Sequence, residues 1–329
     1  MRSEHIVNCI FKSFLSQTHK MAEAPLYFPA AERQRIEPHL PPIPFSLHPE
    51  TTDSSSSSST SSALPFVTLT FATSLDSALA LGPGIRTALS GPQSKAMTHY
   101  LRSQHDAICV GVGTAIADDP GLNSRLATGD DDLLRGSDGS VHDGTGCDGE
   151  GESKSKGTVT AHQPRPIVID PRLRWDFTSH SKVMRLAREG KGLAPYVVTL
   201  EKEPPAQKKS ILEDVGGKFI ILNTESGDED TAAGTHRLDW RVILSAVRQE
   251  GLRSIMIEGG AEVINSLLSE NANLVNSVIV TIAPLWLGKG GVTVSPPRTV
   301  GADRPVARLS DTTWIPLGDD VVLCGKIAR

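Results

Sequence analysis

The chain has 329 residues, an apolar fraction of 38% and a formal net charge of −5 at pH 7. This length allows one large domain or two ordinary ones, and the slightly acidic balance without a basic stripe argues against general nucleic-acid binding. The sequence contains no stretch of about 18 apolar residues, so we expect no membrane span.

Two segments have too little apolar surface to offset the entropy of ordering them. Residues 1–63 are rich in proline and end in a serine run, and residues 129–163 are rich in Gly, Asp, Ser and Lys. We therefore predict a disordered tail over residues 1–63 and a folded domain over residues 64–329, with a disordered insert at about 129–163. A transit peptide within the first 20 residues is the alternative to a plain leader, so mitochondrial import stays open beside a cytoplasmic location.

The rest of the chain alternates between apolar runs of strand length and amphipathic helical patterns. The apolar runs lie at residues 66–71, 106–113, 166–169, 196–200, 219–222, 254–257, 277–282 and 321–324. Helical spacing begins after Gly91-Pro92, near Trp240 and after Gly260. Strands that are apolar on both faces predict an α/β fold with a mostly parallel sheet covered on both sides. Ligands of such sheets bind at the carboxyl ends of the strands.

A first candidate site follows the apolar run at 106–113, where residues 111–125 read GVGTAIADDPGLNSR. Glycines at a strand end let a ligand approach the backbone closely. Thr114 offers a hydroxyl, Asp118 can accept a hydrogen bond, and Arg125 can pair with a phosphate. The Asp-Asp-Pro-Gly sequence is equally good turn chemistry, so the spacing alone leaves a ligand loop and a simple turn open.

A second candidate is the sequence IEGGAE at residues 257–262, between an apolar run and a helical pattern. A helix that begins there would offer free N–H groups to a phosphate, although a tight turn that merely needs glycine is the alternative. The GxGxxG dinucleotide pattern is missing in the right context, which disfavours a standard Rossmann domain. Asp76 is either a site carboxylate or, as we favour, an Asx-turn residue, and Arg102 alone would be a solvated surface charge.

Motifs for other chemistries are missing from the sequence. The four cysteines (Cys9, Cys109, Cys147 and Cys324) form no CxxC pair and no zinc spacing, which favours a reduced intracellular compartment. There is no GxSxG elbow and no HExxH sequence. We therefore predict no metal site, and a reaction driven by a cofactor is the simplest interpretation.

Five segments taken in order resemble the riboflavin-pathway reductases over residues 64–329, apart from the insert. These segments read FATSLDS, LRSQHDAICVGVGTAIADDPGLNSR, PRPIVID, IMIEGGAEVINSLL and VTIAPLWLGKGG. The resemblance implies a single domain with a dihydrofolate-reductase-like open mixed sheet flanked by helices, and a homodimer. It also implies NADPH-dependent reduction of a phosphorylated diaminopyrimidine ribosylamine to its ribitylamino form. The zinc deaminase fused to bacterial relatives is not expected, because the HxE…PCxxC pattern is missing.

The resemblance also implies roles for individual residues. The positions that match NADPH contacts are Ala72, Thr114, Asp118, Gly259, Gly260 and Ala261. The positions that match substrate contacts are Arg102, Leu122, Arg125 and Glu258. The two arginines would suit the substrate phosphate, and Glu258 is the candidate catalytic carboxylate, while the general acid stays unassigned.

Two departures from the family pattern bear on these roles. The chain reads Ser74-Leu-Asp-Ser77 where the relatives usually read SLDG. The bacterial form has a Trp that contacts the cofactor near the position that Ala88 occupies here, so that contact cannot be carried over. Two other functions stay open: a dihydrofolate-reductase-type reduction of a pterin, and a nucleotide-binding module that has lost catalysis. The arginine pair argues against the first, because a pterin needs no phosphate clamp, and the intact Thr114, Asp118 and Glu258 argue against the second.

Overall fold

Eleven strands and seven helices make up the described part of the chain, which in this computed structural model comprises residues 26–42, 64–126, 162–223, 238–298, 301 and 303–328. The strands are β1 Phe66–Thr73, β2 Ala78–Ala80, β3 Ala107–Gly111, β4 Arg165–Ile169, β5 Tyr196–Thr199, β6 Lys218–Ile221, β7 Ser254–Gly259, β8 Ser277–Ile282, β9 Val292–Thr293, β10 Leu309–Leu317 and β11 Asp320–Ile327. The helices are α1 Ala30–Ile36, α2 Pro92–Ser103, α3 Val112–Asp118, α4 Lys182–Arg188, α5 Ala206–Glu213, α6 Trp240–Gln249 and α7 Ala261–Leu268. Short 3₁₀ turns span Glu37–His39 and Ala272–Leu274. Across the described ranges, no helix combines the length and apolar character needed to cross a membrane.

Nine strands form one open sheet in the order β10-β11-β8-β1-β7-β3-β4-β5-β6. The seven strands from β8 to β6 in this order run parallel, whereas β11 is antiparallel to β8 and β10 is antiparallel to β11. The predicted α/β fold with an open mixed sheet flanked by helices is therefore confirmed. Strand β10 was not predicted, because most of its side chains are exposed or half-buried and because it contains Pro316, a residue type that argues against a strand in a sequence pattern.

The core lies on both faces of the sheet, since successive residues of a buried strand point to opposite sides. On one face, Leu244 of α6 and Leu267 of α7 pack with Ile257 of β7. On the other face, Met97 of α2 packs with Met256, the residue next to Ile257 in β7. A third cluster on that second face joins α4 and α5 to β3, β4 and β5. Helices thus cover both faces and leave the carboxyl edge of the sheet to carry loops.

The N-terminal region differs from the prediction. Residues 26–42 carry α1 and pack against α2, with the side chains of Phe28 and Ile36 fully buried. The Phe28 ring lies 5.3 Å from the Tyr100 ring, and Leu26 forms a parallel bridge with Leu126. The prediction of a disordered tail over residues 1–63 is therefore wrong for residues 26–42, because a few apolar side chains there find a matching surface on α2. Residues 1–25 and 43–63 lie outside the described residues.

Most of the predicted insert at residues 129–163 also lies outside the described residues, which resume at residue 162. Gln163 already belongs to the folded body. Its side chain accepts a hydrogen bond from the Ser124 N–H (2.9 Å) and donates one to the Ser124 carbonyl (3.0 Å). The predicted boundary at residue 163 is therefore too late, since this amide clamp fixes Gln163 to the segment before the insert.

Candidate active site at the carboxyl edge of the sheet

The candidate site lies where three neighbouring parallel strands end. β7 lies between β1 and β3 in the sheet, and the three strands end at Thr73, Gly259 and Gly111. Ala72 is the penultimate residue of β1 and is paired with Thr281 of β8. Parallel pairing therefore brings the three predicted turns, which are far apart in sequence, to one edge of the sheet.

The turn between β7 and α7 can be made only by residues that tolerate positive φ. Gly259 and Gly260 have φ of +110° and +87°, a region that side-chain-bearing residues rarely adopt. A Cβ atom on Gly259 would lie 2.7 Å from Cδ1 of Ile264, and one on Gly260 would lie 3.3 Å from Oγ1 of Thr114. Thr114 therefore lies close to this turn, so the structure brings two of the segments that were predicted to bind the cofactor next to each other.

The start of α7 fits a bound phosphate. Gly260 is its N-cap residue, and no side chain of the described residues caps the helix there. The first N–H groups of a helix have no partner within the helix, and the helix dipole is positive at that end. Gly260 and Ala261 therefore present a bare backbone and free donors where the resemblance places the phosphates of NADPH.

Glu258 lies directly before this turn, at an irregularity in the pairing of β3 with β7 that changes the direction of its side chain. Cys109 is paired with Ile257 and Val110 with Gly259, so Glu258 is the extra residue of a β-bulge. Bulges next to active sites re-aim a side chain. The carboxylate of Glu258 accepts two hydrogen bonds from Arg102, from Nε to Oε1 (2.9 Å) and from Nη2 to Oε2 (2.7 Å).

This ion pair is largely shielded from water. The side chains of Arg102 and Glu258 are only 14% and 18% exposed, and Nη1 of Arg102 also donates to the carbonyl of Asn123 (3.1 Å). All three nitrogens of the guanidinium that can donate are therefore engaged within the protein. The structure brings these two predicted substrate residues together, but it pairs them with each other.

Arg125 lies in a separate, positively charged part of the same edge. Its Nη2 atom is 3.2 Å from Nε2 of His99, and its backbone N–H donates to Nδ1 of the same ring (3.1 Å). Burial lowers the pKa of Arg125, and burial followed by the charges of Arg125 and Arg86 lowers the pKa of Lys182. The charges of Arg125 and Arg86 both act on Lys182 in a partly dry environment, and the Asp119 carboxylate offsets them only in part, so this region is suited to an anion.

Leu122 and Asp118 occupy the segment that leads from β3 to Arg125. The segment that was predicted as a loop or turn begins with helix α3, which places Thr114 and Asp118 one turn apart on the same helical face. The turn comes only after the helix, where Asp119 has a φ of +39°. Leu122 is buried against the cluster that contains Val110, so it anchors the segment beside the site.

Asp76 has a structural role, as favoured above. Its carboxylate accepts hydrogen bonds from the hydroxyl of Ser74 (2.5 Å) and from the N–H groups of Leu287 (3.1 Å) and Gly288 (2.7 Å). These bonds, led by that from Ser74, lower the pKa of Asp76 to about 2. Ser77 has a φ of +60°, so the turn keeps the left-handed conformation that suits the glycine of the relatives.

Three residues near the site were not predicted: His99, Asn123 and Lys182. His99 is on the buried side of α2, and a single histidine on an apolar helical face gives no sequence signal beyond that of a core residue. Within the described ranges, no group of His, Cys, Asp and Glu side chains could hold a metal ion.

Comparison with known proteins shows which family the chain belongs to. The sequence profile of the RibD C-terminal domain matches residues 65–323. The chain belongs to the RibD C-terminal domain family. A 2,5-diamino-6-ribosylamino-4(3H)-pyrimidinone 5′-phosphate reductase of Candida glabrata is 38% identical over 264 residues, which cover 80% of this chain and 89% of that protein. The protein of the same name from Saccharomyces cerevisiae is 37% identical over 267 residues, which cover 80% and 88% of the two chains.

The solved structures agree with the family assignment. The riboflavin biosynthesis reductase of Saccharomyces cerevisiae superimposes with a TM-score of 0.58 at 31% identity, over 90% of this chain and 99% of that chain. This RibD C-terminal domain thus has the dihydrofolate-reductase-like fold that the resemblance implied.

Proposed function

We propose that this chain uses NADPH to reduce the ribosylamino side chain of 2,5-diamino-6-ribosylamino-4(3H)-pyrimidinone 5′-phosphate to the ribitylamino form. The names of the fungal relatives support a reductase of the riboflavin pathway. One observation of the structure carries the proposal further. The turn fitted to cofactor phosphates and the carboxylate on the substrate side are consecutive residues, Glu258, Gly259 and Gly260, so both ligands would meet at one point.

On the cofactor side, the N-terminal end of α7 would hold the phosphates through backbone N–H groups. Thr114 and Asp118, which lie on the same face of α3, would both contact the cofactor, Thr114 through its hydroxyl and Asp118 through its carboxylate. Ala72 would contact the cofactor through the backbone of β1. NADPH supplies the hydride when it is bound. The protein's contribution is to fix the cofactor's position relative to the substrate, which is where the rate gain of such enzymes arises.

On the substrate side, the geometry revises the expected clamp of two arginines. The guanidinium of Arg102 is engaged by Glu258 and by the Asn123 carbonyl. We therefore assign Arg102 to positioning Glu258 and assign phosphate binding to Arg125 with Lys182. Glu258, held by two hydrogen bonds at the rim of the cofactor turn, would orient the ribosylamine, and Leu122, whose side chain is buried in the core, would contact the substrate through its backbone.

The test is turnover by the purified full chain, followed by the loss of NADPH absorbance and by mass analysis of the product. We expect turnover of the phosphorylated ribosylaminopyrimidine with NADPH and slower turnover with NADH. Turnover of dihydrofolate instead would establish the pterin alternative, and NADPH binding without turnover of either compound would establish an inactive module. Restoration of growth in a riboflavin-requiring strain tests the same proposal in cells.

Homodimer formation, which rests on the resemblance, and a cytoplasmic location, which rests on the scattered cysteines, belong to the same proposal. Sedimentation equilibrium of the purified chain tests the first, and we expect the mass of two chains. Imaging of a fluorescent fusion at the C-terminus tests the second, and a mitochondrial signal would favour import of the leader instead.

A further inference from the structure

Residues 26–28, which we call the arm, lie against the segment that carries Arg125. The backbone N–H of Leu26 donates to the carbonyl of Arg125 (3.2 Å), and Leu26 forms a parallel bridge with Leu126. The side chains of Leu26 and Leu126 are half-buried and pack against the core cluster that contains Leu101 of α2. The arm is therefore in direct main-chain contact with the residue that we assign to phosphate binding.

The arm also packs on helix α2, which carries Arg102. Phe28 is fully buried, and its ring lies 5.3 Å from the ring of Tyr100. Arg33 holds the arm in this position, because its Nε donates to the Phe28 carbonyl (2.8 Å) and its guanidinium lies 5.4 Å from the centre of the Tyr100 ring. The arm thus bridges the two elements that carry Arg102 and Arg125.

The backbone of Arg125 is held on its other side by contacts that do not involve the arm. Its N–H donates to Nδ1 of His99 (3.1 Å), and Gln163 makes two hydrogen bonds to the backbone of Ser124. The bond from Leu26 holds the carbonyl. A residue has only two soft backbone dihedral angles, and both are set when the peptide groups on its two sides are held. Together these contacts therefore fix the direction in which the Arg125 side chain leaves the backbone.

This direction matters because a second cation lies close to the Arg125 side chain. The charge of Arg125 lowers the pKa of Lys182, after the larger effect of burial. Like charges in a partly buried environment repel each other, so a freely mobile Arg125 side chain would turn away from Lys182. A backbone that is held on both sides limits this movement and keeps the two cations where they can bind one anion. Preorganisation of this kind lowers the cost of binding.

We propose that the arm is a positioning element of the substrate site, in which the N–H of Leu26 holds Arg125 in the orientation that binds the phosphate of the substrate. This inference rests on the proposed function, since it concerns the phosphate subsite of that substrate. Leu26 itself touches no ligand and acts through Arg125. The N-terminal segment thus contributes to substrate affinity as well as to stability.

The substitution Leu26→Pro in the full chain removes the N–H donor and keeps an apolar side chain. We expect KM for the phosphorylated substrate to rise by about three- to tenfold, the range for one net hydrogen bond, with kcat within about twofold of wild type. KM for the same compound without its phosphate and the Kd for NADPH should not change. An unchanged KM for the phosphorylated compound, or an equal rise for both compounds, would overturn the inference.

Two control variants separate the lost hydrogen bond from other effects of the substitution. Tyr27→Pro places the same ring at the next residue, whose side chain is 59% exposed and whose N–H makes no hydrogen bond within the described residues. Gly251→Ala strains a distant turn, where φ is +80°, and so loses stability away from the site. Both controls should keep the wild-type KM for both compounds. A rise in KM in either control as large as that in Leu26→Pro would count against the arm.

A double-mutant cycle tests whether Leu26 acts through Arg125. In the Arg125→Ala background the guanidinium is absent, so Leu26→Pro should cause no further rise in KM. Equal rises in KM with and without the Arg125 side chain would contradict this route. If Leu26→Pro does not fold, a chain that begins at Tyr27 lacks the same donor, and the same expectations and refutations apply to it.

Calorimetric titration with ribose 5-phosphate keeps failure of this inference distinguishable from failure of the proposed function. If the wild-type chain does not reduce the ribosylaminopyrimidine, the proposed function fails, but ribose 5-phosphate still probes the phosphate subsite. Weaker binding of ribose 5-phosphate by Leu26→Pro than by Tyr27→Pro would sustain the inference in that case. Equal binding by the two variants, or no binding of ribose 5-phosphate by wild type, would refute it.

Discussion

At the scale of single residues, both the backbone conformation at Gly260 and the proposed cofactor site require a residue without a side chain. For Gly260, the φ of +87° with a ψ of 144° lies in a region that essentially only glycine adopts, at a cost of about 1–3 kcal/mol to a residue with a side chain, and an added Cβ would lie 3.3 Å from Oγ1 of Thr114. We expect Gly260→Ala to lose about that much unfolding free energy and to raise the Kd for NADPH at least about tenfold. Denaturant unfolding and a fluorescence titration with NADPH measure the two effects.

The matched control is Gly251→Ala. Gly251 has a similar φ of +80° with no atom within 4 Å of an added Cβ, and it lies before the opposite end of β7. This variant should lose a similar amount of stability and should bind NADPH as wild type does. If both variants bind NADPH equally well, the cofactor phosphates are not at the start of α7.

Also at this scale, the Arg102–Glu258 ion pair should stabilise the site as a unit. Arg102→Ala leaves a carboxylate that is 18% exposed without its partner, and we expect a loss of about 2–3 kcal/mol in unfolding free energy. A double-mutant cycle with Glu258→Ala should give a coupling energy of about 1–3 kcal/mol. If the losses of unfolding free energy in the two single variants add up to the loss in the double variant, the interaction between Arg102 and Glu258 contributes nothing to stability.

At the scale of elements, helix α2 carries both His99 and Arg102, and its N-terminus is fixed from another part of the chain. Its own N-cap residue is a glycine without a capping side chain. The carboxylate of Asp320, at the start of β11, instead accepts from the Gly91 N–H (2.8 Å) and from the hydroxyl of Ser94 (2.6 Å). Asp320 therefore anchors the first turn of α2 from a distant part of the chain, as the acidic residue of a capping box does through the N–H of the N-cap residue.

Loss of this remote cap should destabilise the chain as loss of a local one does. We expect Asp320→Ala to lower the unfolding free energy by about 1–2 kcal/mol. The neighbouring Asp319 is exposed, and Asp319→Ala should stay within about 0.5 kcal/mol of wild type. Equal thermal unfolding curves for the two variants would contradict the capping role.

At the scale of the whole molecule, residues 26–42 belong to the folded body, because they pack against α2 and against β10 and β11 of the sheet. Phe28 is fully buried whereas its neighbour Tyr27 is 59% exposed. We expect Phe28→Ala to cost about 3 kcal/mol of unfolding free energy and Tyr27→Ala less than about 0.5 kcal/mol. A chain that starts near Leu64 should be less stable than the full chain, and equal stability of the two in urea would show that the segment only rests on the surface.

Local patterns in the sequence determined the architecture of this protein. Short runs that are apolar on both faces, separated by turn residues and amphipathic helices, are typical of buried parallel strands, so the eight predicted strands and the parallel sheet follow from them. The glycine pair at 259–260 marked a turn with positive φ, because few other residues adopt that conformation. The part of the candidate site that is proposed to bind the cofactor could be predicted from the sequence for the same reason, because it depends on the backbone conformation of a few consecutive residues.

Only the tertiary structure decided how the charged side chains pair. Arg102 and Glu258 are 156 positions apart in sequence, and they meet through a β-bulge that no local pattern reveals. The partner of a long side chain depends on which elements the sheet order places side by side, and that is a property of the assembled fold. The donors around His99 and the packing of Phe28 on α2 were hidden for the same reason: each depends on a surface made by residues far away in the chain.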